Sequence, residues 1–211
     1  MTTKKSNKPI FSRNDEIDKM AFMSWRMGLG QINNTINLAE GYFESAIVQT
    51  ESCLQDNEWK RADILIFPML MCLNHGIELY LKASISIYNE LLNNNLKVDG
   101  THNLSQLYTT LKARIKDLDG QKASNEFEKN FKVLSDYIDE LISKIQTSPN
   151  NDKMDFSRYS FGKKGESHFY VDRLSTNEID LENLLSIMNI MFEKFDAYTE
   201  YLYYDKLQQG E

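Results

Sequence analysis

The segment from Glu58 to Asn93 constrains the fold more than any other part of this chain. Read at helical spacing, one stripe holds Ile66, Met69, Leu70, Leu73, Ile77, Tyr80 and Leu81. The opposite side is also largely apolar, through Ile64, Phe67, Met71, Cys72 and Leu79. A helix hydrophobic on nearly all sides buries itself among other helices, so this one is expected in the middle of a bundle. Pro68 lies inside it, removes a backbone donor, and is expected to kink it or start a second segment. The longest apolar run, Ile64 to Leu73, falls short of the about 20 residues a bilayer crossing needs, so no membrane role is expected.

The rest of the chain supplies partners for that helix. Gln31 to Leu54 keeps Ile32, Ile36, Ala39, Phe43, Ala46 and Ile47 at spacings of three and four, and Asp56-Asn57 ends it. Asn14 to Met27 reads as a further helical stretch closed by Gly28 and Gly30. Thr101 or His102-Asn103 can cap a helix that buries Leu104, Leu107, Leu111 and Ile115 and stops at Asp119-Gly120. Ala123 to Gln146 is the next, and Asn177 to about Leu207 the last, with Leu184, Met188, Phe195 and Leu202 in register. Between those two, aromatic runs around Gly162 and Gly165 read as a short β-hairpin. The class is therefore all-α: a single bundle of about five to six helices with one short hairpin insert near 155–172. The domain covers 13–207, and the polar tail 1–12 is expected to be disordered. Only nine glycines and three prolines among 211 residues argue against a turn-rich sandwich or barrel.

Charge narrows the function classes. Twenty-four Lys and Arg against 31 Asp and Glu leave −7, which works against broad adhesion to nucleic acid or anionic lipid. A local basic patch remains compatible with that balance, and Lys112, Arg114 and Lys116 form a modest one. Cys53 and Cys72 read as reduced, buried thiols. Three histidines and two cysteines show no ligand spacing, and no phosphate loop, HExxH, CxxC or GxSxG motif occurs. No metal and no cofactor are expected. The polar stretch Met1 to Lys8, with no apolar run after it, makes the expected location cytoplasmic.

The anomaly is polar. His75, Glu78 and Lys82 stand at i, i+3 and i+7 on the apolar helix, sharing an arc of about 60°. Charges near a core need partners, so Glu78 and Lys82 are either a structural ion pair or part of a site. His102 sits at a helix start, where backbone N–H groups favour anions. Arg158 can clamp a carboxylate or phosphate, and Tyr159 can stack on a base or pack on the bundle. Lys163 and Lys164 read as a solvated turn and His168 as a surface residue. The tyrosines at 198, 201, 203 and 204 cannot all hide on one helix face, which points to a homodimer surface.

Three segments in order carry a family resemblance. They are Leu73-Asn74-His75-Gly76-Ile77-Glu78-Leu79-Tyr80-Leu81-Lys82-Ala83, then Thr101-His102-Asn103-Leu104-Ser105-Gln106-Leu107, then Phe156-Ser157-Arg158-Tyr159-Ser160. Over about Ile64 to Leu202 the chain resembles the HEPN-type helical proteins of prokaryotes. That resemblance implies an all-α bundle, frequent dimerisation, and roles in toxin–antitoxin or antiviral systems. Many members are metal-independent ribonucleases, and others are noncatalytic partners of nucleotidyltransferases. The ribonucleases place Arg and His four to six residues apart near a helix start. In this chain Arg61 precedes His75 by fourteen positions and Arg158 precedes His168 by ten. The resemblance therefore implies a polar pocket of Glu78, Lys82, His102, Arg158 and Tyr159 that binds a nucleotide, RNA or a protein partner. A ribonuclease using His102 or His168 with Arg158 or Lys82 is the alternative, and a noncatalytic dimeric scaffold the third reading. Alanine at Glu78 or Arg158 is expected to abolish activity with little change in melting temperature.

Overall fold

The computed structural model describes residues 9–23, 26–28, 30–98, 100–146, 156–162, 165–170 and 177–208. Two long helices form its spine, α1 (Gln31–Gln55) and α2 (Ala62–Leu91). The buried residues Ala39, Phe43, Ala46, Thr50 and Cys53 of α1 recur at alternating intervals of four and three, the seam of two helices packed side by side. Gly76 of α2 meets that seam. A Cβ there would stand 2.7 Å from the Phe43 ring and 3.2 Å from the Ala39 carbonyl oxygen. Glycine thus sets how closely the two helices approach, two residues before Glu78.

The apolar helix is central, as its composition demands. It packs against α1, α3, α5 and the segment Tyr201–Leu207, and both of its apolar sides contribute buried residues. It starts at Ala62 rather than Glu58, because Asn57 Oδ1 accepts the Ala62 N–H at 2.9 Å after a short 3-10 turn over Glu58–Lys60. Pro68 does not divide it: the helix runs on through that position. One missing N–H early in a 30-residue helix is outweighed by the packing along the rest of its length. Among the described residues α2 is the one helix long and apolar enough to cross a bilayer by length and composition. Half of its most apolar window is buried inside the bundle, as in the core helix of a packed protein.

Three further helices close the bundle: α3 (Leu104–Asn130), α4 (Lys132–Gln146) and α5 (Leu181–Glu200). Gly120 breaks the path of α3 with φ 86°, a left-handed conformation that suits glycine. The helix expected from Ala123 to Gln146 is interrupted at Phe131, which leaves helical dihedrals so that its ring can join Phe127 and Phe195 in the core. The last helix begins at Leu181, where Asp180 caps it by accepting the Glu182 and Asn183 N–H groups, and it ends as a π-helix over Tyr201–Leu207. The central core is aromatic, with Tyr80 stacked on Phe195 at 4.9 Å and Phe43 against both.

Two expected elements do not form. The helical stretch from Asn14 to Met27 is, among the described residues, only a 3-10 turn over Ile17–Lys19 with no buried residue, so it has no core face to hold it. The β-hairpin near 155–172 reduces to a single antiparallel bridge between Phe161 and Ser167. Strands would need alternating faces, but His168, Phe169 and Tyr170 are consecutive and all turn toward protein. Phe156 is buried with Leu70, Leu141 and Ile145, which pins this segment across α2 and α4. Asp155, Lys163, Lys164, 171–172 and most of the expected tail 1–12 lie outside the described residues.

Candidate functional site

Glu78 is the hub of the polar residues on α2. Only 6% exposed, it accepts a hydrogen bond from Lys82 Nζ at 2.8 Å, one helical turn on. The Asn103 side chain caps α3 by accepting the Gln106 N–H, and this fixes the preceding residue, His102, over the carboxylate. His102 Nδ1 lies 2.9 Å from Oε1 and 3.1 Å from Oε2, and as the partner of an ionised carboxylate it is the donor. His75 Nδ1 approaches Oε2 at 3.7 Å, an electrostatic contact, and its ring meets Tyr42 of α1 edge-on at 4.5 Å.

These contacts set the carboxyl's chemistry. Burial pushes its pKa up, but His75, Lys82 and His102 outweigh burial and hold it near 2, below the ordinary 4.5. Glu78 is therefore an anion across the physiological range and not a proton donor. Its charge is already matched by Lys82, which leaves the Arg158 guanidinium of the adjoining cavity for another anion.

That cavity measures about 210 Å³. Its α2 wall is Met71, Asn74, His75 and Glu78; Tyr42 comes from α1, and His102 and Leu104 from the start of α3. Ser157 and Arg158 complete it, carried there by the buried anchor of Phe156. Arg158 is exposed and forms no ion pair among the described residues. At the other extreme Asn74 is 7% exposed, accepts a hydrogen bond from Tyr137 through Oδ1 at 2.7 Å, and has no partner for Nδ2 among the described residues.

The expected pocket is thus assembled unevenly. Glu78, His102 and Arg158 line one cavity. Lys82 reaches it only through its bond to Glu78, and its side chain lines a larger neighbouring hollow of about 1100 Å³. Tyr159 is 62% exposed and lies outside the lining. Asn74 and Tyr42 were not foreseen, although Asn74 shares the Glu78 face one turn earlier on an apolar helix, which is a readable signal. His168 is fully buried, its ring stacked on Tyr170, and is neither a surface residue nor part of the cavity. The basic patch of α3 is largely consumed: Lys112 pairs with Glu128 at 2.7 Å, and Arg114 bonds Asn89 at 2.8 Å and faces Asp117 at 3.5 Å. Cys53 and Cys72 are free and buried. Among the described residues no group of His, Cys, Asp and Glu is arranged to hold a metal ion. Both imidazoles turn Nδ1 toward the carboxylate rather than toward a shared point.

What the arrangement can do is bind an anion beside a carboxylate that is already neutralised. Comparisons with models of known protein families, with curated proteins and with solved structures find no match to this chain.

Proposed function

We propose that this chain is a HEPN-like helical module of a prokaryotic defence or stress system, of toxin–antitoxin or abortive-infection type. In this reading it acts in the cytoplasm and binds a nucleotide or RNA through the cavity beside Glu78. The observation that carries the reading is the charge arrangement. Within a chain of net charge −7, one small cavity gathers Arg158, His75 and His102 around a carboxylate that Lys82 already balances. A guanidinium with no ion-pair partner among the described residues is suited to phosphate oxygens. Tyr201 and Tyr204, 47% and 49% exposed, supply the surface for a homodimer or a partner protein.

Binding of a fluorescent single-stranded oligoribonucleotide tests the proposal. Arg158→Ala should weaken it at least about tenfold, because a lost charge-assisted hydrogen bond is worth about 1.5–3 kcal/mol. Its melting temperature should stay within about 1 °C of wild type, since Arg158 is exposed. Unchanged affinity in that variant sinks the reading.

The ribonuclease alternative has one observation in its favour: two imidazoles and a guanidinium share one cavity. Cleavage of total RNA in EDTA, lost in His102→Ala, would establish it. Intact RNA with folded protein leaves a binding module, and loss of RNA binding as well leaves the scaffold.

A further inference from the structure

The binding reading says that the cavity takes an anion; the placement of its donors says which kind. Asn74 is held on one side only. Tyr137, on α4, donates to Oδ1, which fixes the amide plane and leaves Nδ2 without a partner among the described residues. Burial, with Glu140 nearby, pushes the Tyr137 phenol well above its ordinary range, so this hydroxyl remains a donor and the amide keeps its orientation. Asn74 lines the cavity, so a ligand that reaches its amide nitrogen must present an acceptor.

Two more groups come from different elements. His102 donates Nδ1–H to Glu78, so Nε2 is the ring nitrogen left for a ligand, and it arrives from the start of α3. In the neutral ring Nε2 is an acceptor for the P–OH of a monoester monoanion, and it is a donor only in the doubly protonated ring. Arg158 arrives from the segment anchored by Phe156. Asn74, His102 and Arg158 thus stand on three separate pieces of backbone around one small space. A carboxylate offers two oxygens in one plane, and a phosphodiester offers two unbridged oxygens. A phosphate monoester offers three, in a tetrahedral array, and carries about −1.5 to −2 charges near neutral pH. At about 210 Å³ the cavity is smaller than the roughly 300–1,000 Å³ typical of whole small-molecule sites, so it suits a head group whose remainder lies outside. Exposed Tyr159, next to Arg158 in sequence, is available to that remainder.

We propose that the cavity recognises a phosphate monoester, with Asn74 Nδ2, His102 and Arg158 each meeting one terminal oxygen. This rests on the anion-binding reading above and narrows it. The group can belong to a free mononucleotide or to a phosphorylated RNA end, and the chemistry at Asn74 is the same for both.

Calorimetric titration of the full chain tests this with four probes: inorganic phosphate, adenosine 5′-monophosphate, a 5′-phosphorylated oligoribonucleotide and its 5′-hydroxyl twin. The phosphorylated oligonucleotide should bind at least about tenfold more tightly than the twin if an RNA end is the source. Adenosine monophosphate should bind as tightly as either oligonucleotide if a free nucleotide is. Asn74→Asp keeps the shape and the acceptor for Tyr137 but replaces the Nδ2 donor with a carboxylate oxygen that repels the oxyanion. It should lower affinity for the monoester probes at least about tenfold. If that variant fails to fold, Tyr137→Phe frees the amide with the loss of one hydroxyl and should lower monoester affinity about threefold or more. Equal binding of the oligonucleotide twins, with adenosine monophosphate and phosphate inert, overturns the monoester assignment while leaving RNA binding through Arg158 intact. Monoester binding unaltered in the folded Asn74 or Tyr137 variant overturns the role of Asn74. Phosphate and adenosine monophosphate binding without any oligonucleotide binding upholds the monoester and removes RNA from the functional reading.

Discussion

Replacing Glu78 with Gln isolates what the hub contributes. The side chain keeps its shape and loses its charge, leaving Lys82, whose side chain is only 20% exposed, facing a neutral amide. In the native protein the carboxyl is held near 2 against an ordinary 4.5, because His75, Lys82 and His102 outweigh the opposing effect of burial. A group whose folded pKa is depressed adds stability that is fully present above its unfolded value and lost as pH falls through its folded value. For Glu78 the window runs from about 4.5 down to about 2. At about 1.4 kcal/mol per pH unit across that window, the ionised carboxylate contributes roughly 3 kcal/mol. Removing one partner of a buried pair by mutation costs about 3–5 kcal/mol, a similar figure. For a chain of this size the expected loss is about 6–12 °C in melting temperature near neutral pH. Urea unfolding of wild type and Glu78→Gln, repeated in steps from pH 7 to pH 2.5, measures the difference directly. The other carboxylates titrate in both proteins and largely cancel in it. The gap should hold near 3 kcal/mol down to about pH 5 and then close. A gap below about 1 kcal/mol at pH 7, or one that stays constant into acid, would refute the hub. This also revises the sequence-based expectation that alanine at Glu78 leaves melting temperature nearly unchanged. That expectation holds for exposed Arg158 and not for a buried charge.

Two other substitutions probe the backbone that positions the site. Gly76→Ala puts a methyl group against the Phe43 ring and the Ala39 carbonyl, and should cost about 1–3 kcal/mol, read as a fall in the urea midpoint. Gly41→Ala in α1 is its control: nothing lies within 4 Å of the added Cβ, so the same change there should stabilise by about 0.5–1 kcal/mol. Asn103→Ala removes the cap of α3 and should cost about 1 kcal/mol by the same measurement. Because that cap also holds His102 over Glu78, the variant should bind the phosphorylated oligoribonucleotide more weakly than its stability loss alone requires.

The helices were legible where periodicity and punctuation agreed. Residues 39, 43 and 46, read from the periodicity, lie in the buried seam of α1, which continues through Thr50 and Cys53 rather than Ile47 and Leu54, and Gly120 marks a break in α3, because both signals are local. The break at Phe131 had no such signal. No glycine or proline stands there, and the cause is a ring drawn into a core built by α5. The hairpin fails for a related reason. A turn around Gly162 and Gly165 does form, with the Gly165 N–H donating to the Gly162 carbonyl at 2.9 Å, but pairing beyond it loses to the burial of Phe156 and His168. Local turn chemistry was readable; the competition it lost was with residues far away in sequence.

The site divides along the same line. His75, Glu78 and Lys82 were visible because polar residues on an apolar helix face need an explanation, and one helical period predicts their proximity. His102 was visible as a helix start, and its 2.9 Å contact with Glu78 follows from α3 beginning where it packs on α2. Asn74 could be placed on the same face, but its significance could not, because an unpaired Nδ2 is a property of everything around it. That difference bears on function. Glu78 is saturated by Lys82 and His102, so its removal is felt first as lost stability. Asn74 Nδ2 has no partner among the described residues, so its contribution should appear on ligand binding and not in the stability of the empty protein. Stability loss at Glu78, ligand loss at Asn74 and ligand loss without instability at Arg158 are therefore three separate signatures of one site, and a purely structural ion pair would produce only the first.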